Sequence, residues 1–401
     1  MRLALELGQG ARLDADALTS DLSRALGSWF VPPVLGDRST PDFRRVRSLV
    51  FEQHTPWADA SYRNLAGERT RPPDGRWHRL ERRLSKLDWV APRKAQLPWK
   101  LRRTMPAVVT FYSFKGGVGR TTLVASTALQ LAREAKNVVV VDLDVEAPGV
   151  SSLLGAVSER GLLDFLVDHA AVNATSLDGL LAPATALGDE ASRVSVIGAG
   201  RLDADYFEKL ARLDFIGAQL GGDDASPVTQ ALRQLLLALA NRAPRPDYIL
   251  LDSRAGLHDV AGLSLHDLAH VDVLVGRDSD QGYRGLELTA MALGRRRTLD
   301  DLRCAVVQTM APDDPTAEEY KRITAEYRKR SYDAFVEHVY ADDDDLPEID
   351  DDVSAHYPTV VRFQPRLVSF TTLTVRREEL LGADFVAVKD RIAALCQPED
   401  P

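Results

Sequence analysis

Residues 107–122 read Ala-Val-Val-Thr-Phe-Tyr-Ser-Phe-Lys-Gly-Gly-Val-Gly-Arg-Thr-Thr, and this stretch decides the fold. The β-branched and aromatic run from Ala107 to Ser113 reads as a buried strand. Gly116, Gly117 and Gly119 make a turn, and Thr121 to Ala135 reads as a helix. Strand, glycine loop and helix together form a phosphate cradle. Glycines let successive backbone N–H groups turn toward one anion, and the helix N-terminus adds partial positive charge. The hydroxyl of Thr121 stands where a magnesium ligand is needed.

The common phosphate-loop pattern, G-x-x-x-x-G-K-[ST], is broken twice. Phe114 stands in place of the first glycine and Arg120 in place of the lysine. The loop resembles the deviant form K-G-G-x-G-K-[ST] of the ParA/MinD ATPases, which opens on an additional lysine, here Lys115. That resemblance implies ATP and Mg2+ as ligands. It also implies that Lys115, Gly116, Gly117, Val118, Gly119, Arg120, Thr121 and Thr122 hold the nucleotide. Lys115 is implied to reach the nucleotide of a second subunit, so an ATP-dependent homodimer is expected.

Two further segments fit such a site. Asn137 to Asp144 reads Asn-Val-Val-Val-Val-Asp-Leu-Asp, a strand buried on both faces that ends in Asp142 and Asp144. Asp247 to Gly256 reads Asp-Tyr-Ile-Leu-Leu-Asp-Ser-Arg-Ala-Gly, a second strand ending in Asp252. Carboxylates at the C-terminal ends of parallel strands converge on the ligand crevice of a doubly wound sheet. Any one of them could instead cap a following helix. The resemblance implies that Asp144 orients the attacking water, with Lys115 and Arg120 as catalytic cations. It implies that Thr121, Asp142 and Asp252 serve the metal.

The remaining chain alternates strand and helix, with further strands expected at 193–200, 271–276, 302–308 and 359–363. Helical stretches are expected at 228–243, 315–340 and 382–395. The fold class is therefore α/β, a doubly wound and mostly parallel sheet over 105–401. A small basic, Trp-rich domain precedes it at 1–104.

Charge marks that boundary. Residues 1–104 carry 20 Lys+Arg against 12 Asp+Glu, while the remainder carries 30 against 47. All five tryptophans (Trp29, Trp57, Trp77, Trp89, Trp99) lie in the first part. Residues 16–28 have helical spacing, with Leu18, Leu22 and Leu26 on one face. Residues 76–103 read as a basic amphipathic helix and tail, with Trp77, Leu80, Leu84 and Leu87 on a stripe. Such a helix suits nucleic acid or anionic lipid. Packing within its own domain, its charges facing the acidic ATPase part, is preferred.

Two cysteines provide no disulfide framework, and no apolar run reaches membrane-spanning length, so a cytoplasmic protein is expected. The eight histidines have no metal spacing, and the acidic run at 342–352 reads as a solvated loop. Three functional classes stay open. One is a slow ATPase acting as a dimerisation switch, with an unidentified protein partner, in a bacterial regulatory or conflict system. Another is a nucleotide-sensing scaffold with little hydrolysis. The third is a DNA- or membrane-associated partition protein.

Overall fold

The computed structural model describes residues 96–217, 227–296, 302–340, 346–368 and 373–398, together with Ala17, Ser20, Asp21, Arg24 and Trp89. The chain divides into two compact units, Met1–Arg83 and Leu84–Pro401. In the first, Ala17, Ser20, Asp21 and Arg24 are helical, as the spacing over 16–28 predicts; the other residues of that stretch lie outside the described residues. The same holds for 76–95 of the basic stretch, Trp89 excepted, and for the acidic residues 342–345.

The second unit is built on an eight-stranded sheet. Its strands are β1 (Ala107–Tyr112), β2 (Val138–Asp142), β3 (Leu181–Pro183), β4 (Val194–Ile197), β5 (Tyr248–Asp252), β6 (Val271–Gly276), β7 (Cys304–Ala311) and β8 (Thr359–Arg362). Their spatial order is β3-β4-β2-β5-β1-β6-β7-β8. All pairings are parallel except β3 with β4. The helices that cover the sheet include α1 (Arg120–Arg133), α2 (Val150–Leu154), α3 (Leu162–Val172), α4 (Tyr206–Gly217), α5 (Pro227–Ala240) and α6 (Asp259–Leu263). They continue with α7 (Asp280–Arg296), α8 (Glu318–His338) and α9 (Ala383–Leu395).

The run of four valines explains itself in this setting. Val138 and Val140 join the core beneath α1 and α9, while Val139 and Val141 join the core beneath α3 and α5. A strand has a side-chain period of two, so only an apolar residue at every position can fill both layers. Each buried valine contributes roughly 1.5–3 kcal/mol relative to exposure. On the far half of the sheet, α7 and α8 close the second face over Tyr112, Leu274 and Val306.

The register sets the site. Asp142 of β2 lies directly beside Asp252 of β5, and Asp252 lies beside Phe111 of β1. The three central strands therefore end level with one another, where β1 runs into the glycine loop and α1.

Residues ahead of Ala107 also pack on this unit. The Trp99 indole donates to the Pro106 carbonyl at 3.0 Å, and the Gln96 backbone N–H donates to Asp267 at 3.1 Å. Trp89 is 7% exposed and lies against Gly262 of α6, where an added Cβ would sit 2.8 Å from the indole nitrogen.

Candidate nucleotide site

The glycine loop bends because glycine permits it. Gly117 and Gly119 have φ of 73° and 82°, a left-handed conformation that other L residues adopt only with strain. A Cβ built at Gly116, Gly117 or Gly119 would meet no protein atom within 4 Å, so the hollow of the loop is open. Helix α1 begins at Arg120 with Gly119 as its N-cap, no side-chain cap and no acidic residue in the first turn. Its first N–H groups have no side-chain cap and no intrahelical acceptor, the arrangement that binds an anion.

Phe114, which breaks the usual glycine pattern, has a structural partner. Its ring lies on Gly285 of α7, where an added Cβ would fall 2.2 Å from Phe114 Cγ. The loop is thus anchored to α7 by an aromatic contact that any side chain at 285 would displace. Val118 is buried, and its carbonyl accepts from the Thr309 hydroxyl at 2.8 Å. Lys115 is half-buried at the edge of a cavity lined by Tyr112, Phe114, Thr289 and Tyr327. Among the described residues it has no hydrogen-bond or ion-pair partner.

Four of the residues named from sequence converge at the strand ends. Arg120 Nε donates to Asp252 Oδ1 at 2.7 Å, and its Nη2 reaches Asp144 Oδ2 at 3.4 Å. Thr121 Oγ1 donates to Asp252 Oδ2 at 2.8 Å. The guanidinium therefore spans Asp252 and Asp144, with Ser113 Oγ 3.4 Å from Nη1. Burial pushes the Asp252 carboxyl up, and Arg120 and Thr121 pull it part of the way back.

Asp142 is held differently. Its Oδ1 accepts the backbone N–H of Asp144 at 3.1 Å, and its Oδ2 accepts that of Gly149 at 3.1 Å. Burial and then the neighbouring Asp252 charge push its carboxyl up to about 8. Its visible work is to hold the 142–149 loop.

Sequence reasoning missed an outer set. Arg254 Nε stands 4.0 Å from Asp144 Oδ1, and its Nη1 pairs with Glu146. His258 Nε2 lies 3.3 Å from the same Glu146. The Tyr206 hydroxyl donates to the Val145 carbonyl at 2.6 Å, fixing that loop from α4. Glu146, Arg254 and His258 follow Asp144 and Asp252 within a few residues, and this proximity to strand ends was the signal available.

The ParA family model, described as NUBPL iron-transfer P-loop NTPase, matches residues 104–186, the span that carries β1, the loop, α1 and the Asp142–Asp144 segment. Over this span the chain is similar to the P-loop NTPases of the ParA family. The septum site-determining protein MinD of Helicobacter pylori is 29% identical over 169 residues, 42% of this chain and 51% of that protein. The iron-sulfur cluster carrier protein of Pseudomonas fragi is 38% identical over 66 residues, 16% of this chain and 23% of that protein. The chain thus spans about half or less of the length of the curated relatives it matches. Among solved structures, the cell division ATPase MinD of Pyrococcus furiosus aligns with 73% of this chain and 100% of its own, at 18% identity and a TM-score of 0.47.

A magnesium ion asks for hard oxygen donors beside phosphate. The site offers the Thr121 hydroxyl and the Asp252 carboxylate, 2.8 Å apart at the first turn of α1. This donor set fits the ion. Among the described residues no helix is long and apolar enough to cross a membrane.

Proposed function

We propose that this protein binds ATP with magnesium at Lys115–Thr122, hydrolyses it slowly, and uses the bound nucleotide to join two copies of the chain as a switch in a bacterial regulatory or conflict system. The observation that carries the reading is the meeting of Arg120, Thr121, Asp144 and Asp252 at the mouth of an open glycine loop. Backbone N–H groups of the loop cradle the phosphates, and Arg120 supplies a cation to their β/γ oxygens. Thr121 and Asp252 hold the metal, whose part is to neutralise phosphate charge. Asp142 serves them from behind, by fixing the loop that bears Asp144.

Asp144 accepts a hydrogen bond from the water that attacks the γ-phosphorus. The bond from that phosphorus to the β–γ bridging oxygen breaks, leaving ADP and inorganic phosphate. Asp144 is flanked by two arginines, Arg120 and Arg254, which compete with water for its oxygens, and slow turnover follows. Lys115 has no partner within its own domain among the described residues, which suits a role toward a second subunit. The tryptophans of the basic stretch that are described, Trp89 and Trp99, face the sheet domain, which favours the switch over a DNA or membrane role.

Light scattering with phosphate release, measured with ATP, ADP and no nucleotide, tests this. ATP should double the mass of the wild type and leave Lys115→Ala monomeric. A wild type that stays monomeric with saturating ATP removes the switch and leaves the scaffold.

A further inference from the structure

The substitution of arginine for the loop lysine has a consequence for the metal. Asp252 has two oxygens, and the domain's own groups already engage both: Arg120 Nε on Oδ1 at 2.7 Å and Thr121 Oγ1 on Oδ2 at 2.8 Å. The Arg120 side chain is 10% exposed and that of Asp252 2% exposed, so water competes little for this pair. The same guanidinium is shared with Asp144 and Ser113. A guanidinium cannot lose its proton to make way for another cation, and its planar fork fits two carboxylates at once. A lysine ammonium on a flexible stem would be a single point charge, free to swing toward phosphate.

We propose that Arg120 is a built-in counter-ion of Asp252 that competes with divalent metal for this carboxylate, so that the domain binds ADP with little dependence on the metal. The inference rests on the nucleotide reading of the site above. In it, Arg120 sets the metal requirement as well as touching phosphate. Asp252 receives a second cation only when Arg120 turns from it toward the nucleotide. Ser113 assists, because its hydroxyl helps hold the guanidinium on the carboxylate side.

The test compares wild type, Arg120→Lys and Ser113→Ala, each as the full chain. ADP affinity is measured by calorimetry with EDTA and with Mg2+, and Mn2+ binding to each ADP complex is followed by the loss of the free-ion paramagnetic resonance signal. Wild-type ADP affinity should be nearly the same in both buffers. Arg120→Lys should gain about tenfold or more in Mn2+ affinity, the worth of one charged hydrogen bond released from Asp252. Ser113→Ala should shift in the same direction by less, and it keeps the test open if Arg120→Lys does not fold. Equal Mn2+ affinity in wild type and both variants, with ADP still bound, overturns this inference alone. No ADP binding in any buffer overturns the nucleotide reading and this inference with it.

Discussion

The Trp89 indole Nε1 donates to the backbone carbonyl of His258 at 2.7 Å. That contact ties the segment ahead of the sheet to the turn that follows Asp252. The same indole packs on Gly262 and lies 5.6 Å, centroid to centroid, from the Tyr112 ring. From His258 a chain of polar contacts runs through Glu146 and Arg254 to within 4.0 Å of Asp144. Nucleotide that moves Asp144 should therefore move the surroundings of Trp89. ATP should change the intrinsic tryptophan emission of the wild type, and Trp89→Phe or Glu146→Gln should remove most of the change. An equal change in Trp89→Phe assigns the signal to another tryptophan and breaks the link.

Gly285→Ala tests the Phe114 anchor. The new methyl would overlap both Cβ and Cγ of Phe114, and the Cβ cannot swing away as a flexible chain end can. Overpacking of this kind costs about 1–3 kcal/mol. The variant should melt earlier and bind ATP more weakly, because the loop begins at Phe114. Unchanged affinity would show that the loop holds its shape without α7.

Asp144→Ala separates binding from turnover. Asp144 lies beside Arg120 and Arg254 without holding the loop's glycines, so its loss should spare ATP affinity. Steady-state phosphate release should fall about 100-fold or more, as expected when a positioning group is removed. Wild-type rates in this variant would place the water elsewhere.

The sheet and its motifs were legible in sequence because their physics is local. β-branched runs mark β1, β2 and β6, an apolar run marks β5, and Gly117 and Gly119 of the loop are required by its backbone angles. Ends were offset by a few residues: the strand expected at 302–308 runs from Cys304 to Ala311, and the helix expected at 315–340 runs from Glu318 to His338. The short antiparallel strand β3, only three residues long, carries too little pattern to be read and is held by its pairing with β4. In the site, the carboxylates could be named from strand ends. The partners of Phe114 and Asp144 could not, since Gly285 lies 171 residues from Phe114 and Arg254 lies 110 from Asp144, and only the fold brings them together.

A pH effect is expected at the end of the fold. Burial pushes the Asp384 carboxyl up, but the Arg362 guanidinium at 2.8 Å, twice, and the Arg362 N–H at 3.0 Å bring it below its ordinary value. A lowered folded value means that the unfolded chain binds more protons in the titration range. The stabilisation is then present above the ordinary carboxylate pKa and is lost as pH falls through the folded value. Asp384→Asn should cost about 1–3 kcal/mol at neutral pH. Denaturant melts should show the gap from wild type closing in acid; a gap independent of pH would assign the cost to packing.

The most direct test of the central claim is calorimetric titration of the full chain with ATP and Mg2+, repeated on Gly119→Val and Thr121→Ala. Valine at 119 would force a branched side chain into a φ of 82°, and Thr121→Ala removes the hydroxyl that bonds Asp252 at 2.8 Å. Both variants should stay folded by thermal melt and bind ATP at least about tenfold more weakly than the single site per chain expected in the wild type. ATP binding of undiminished affinity in both folded variants would contradict the assignment of nucleotide to this loop.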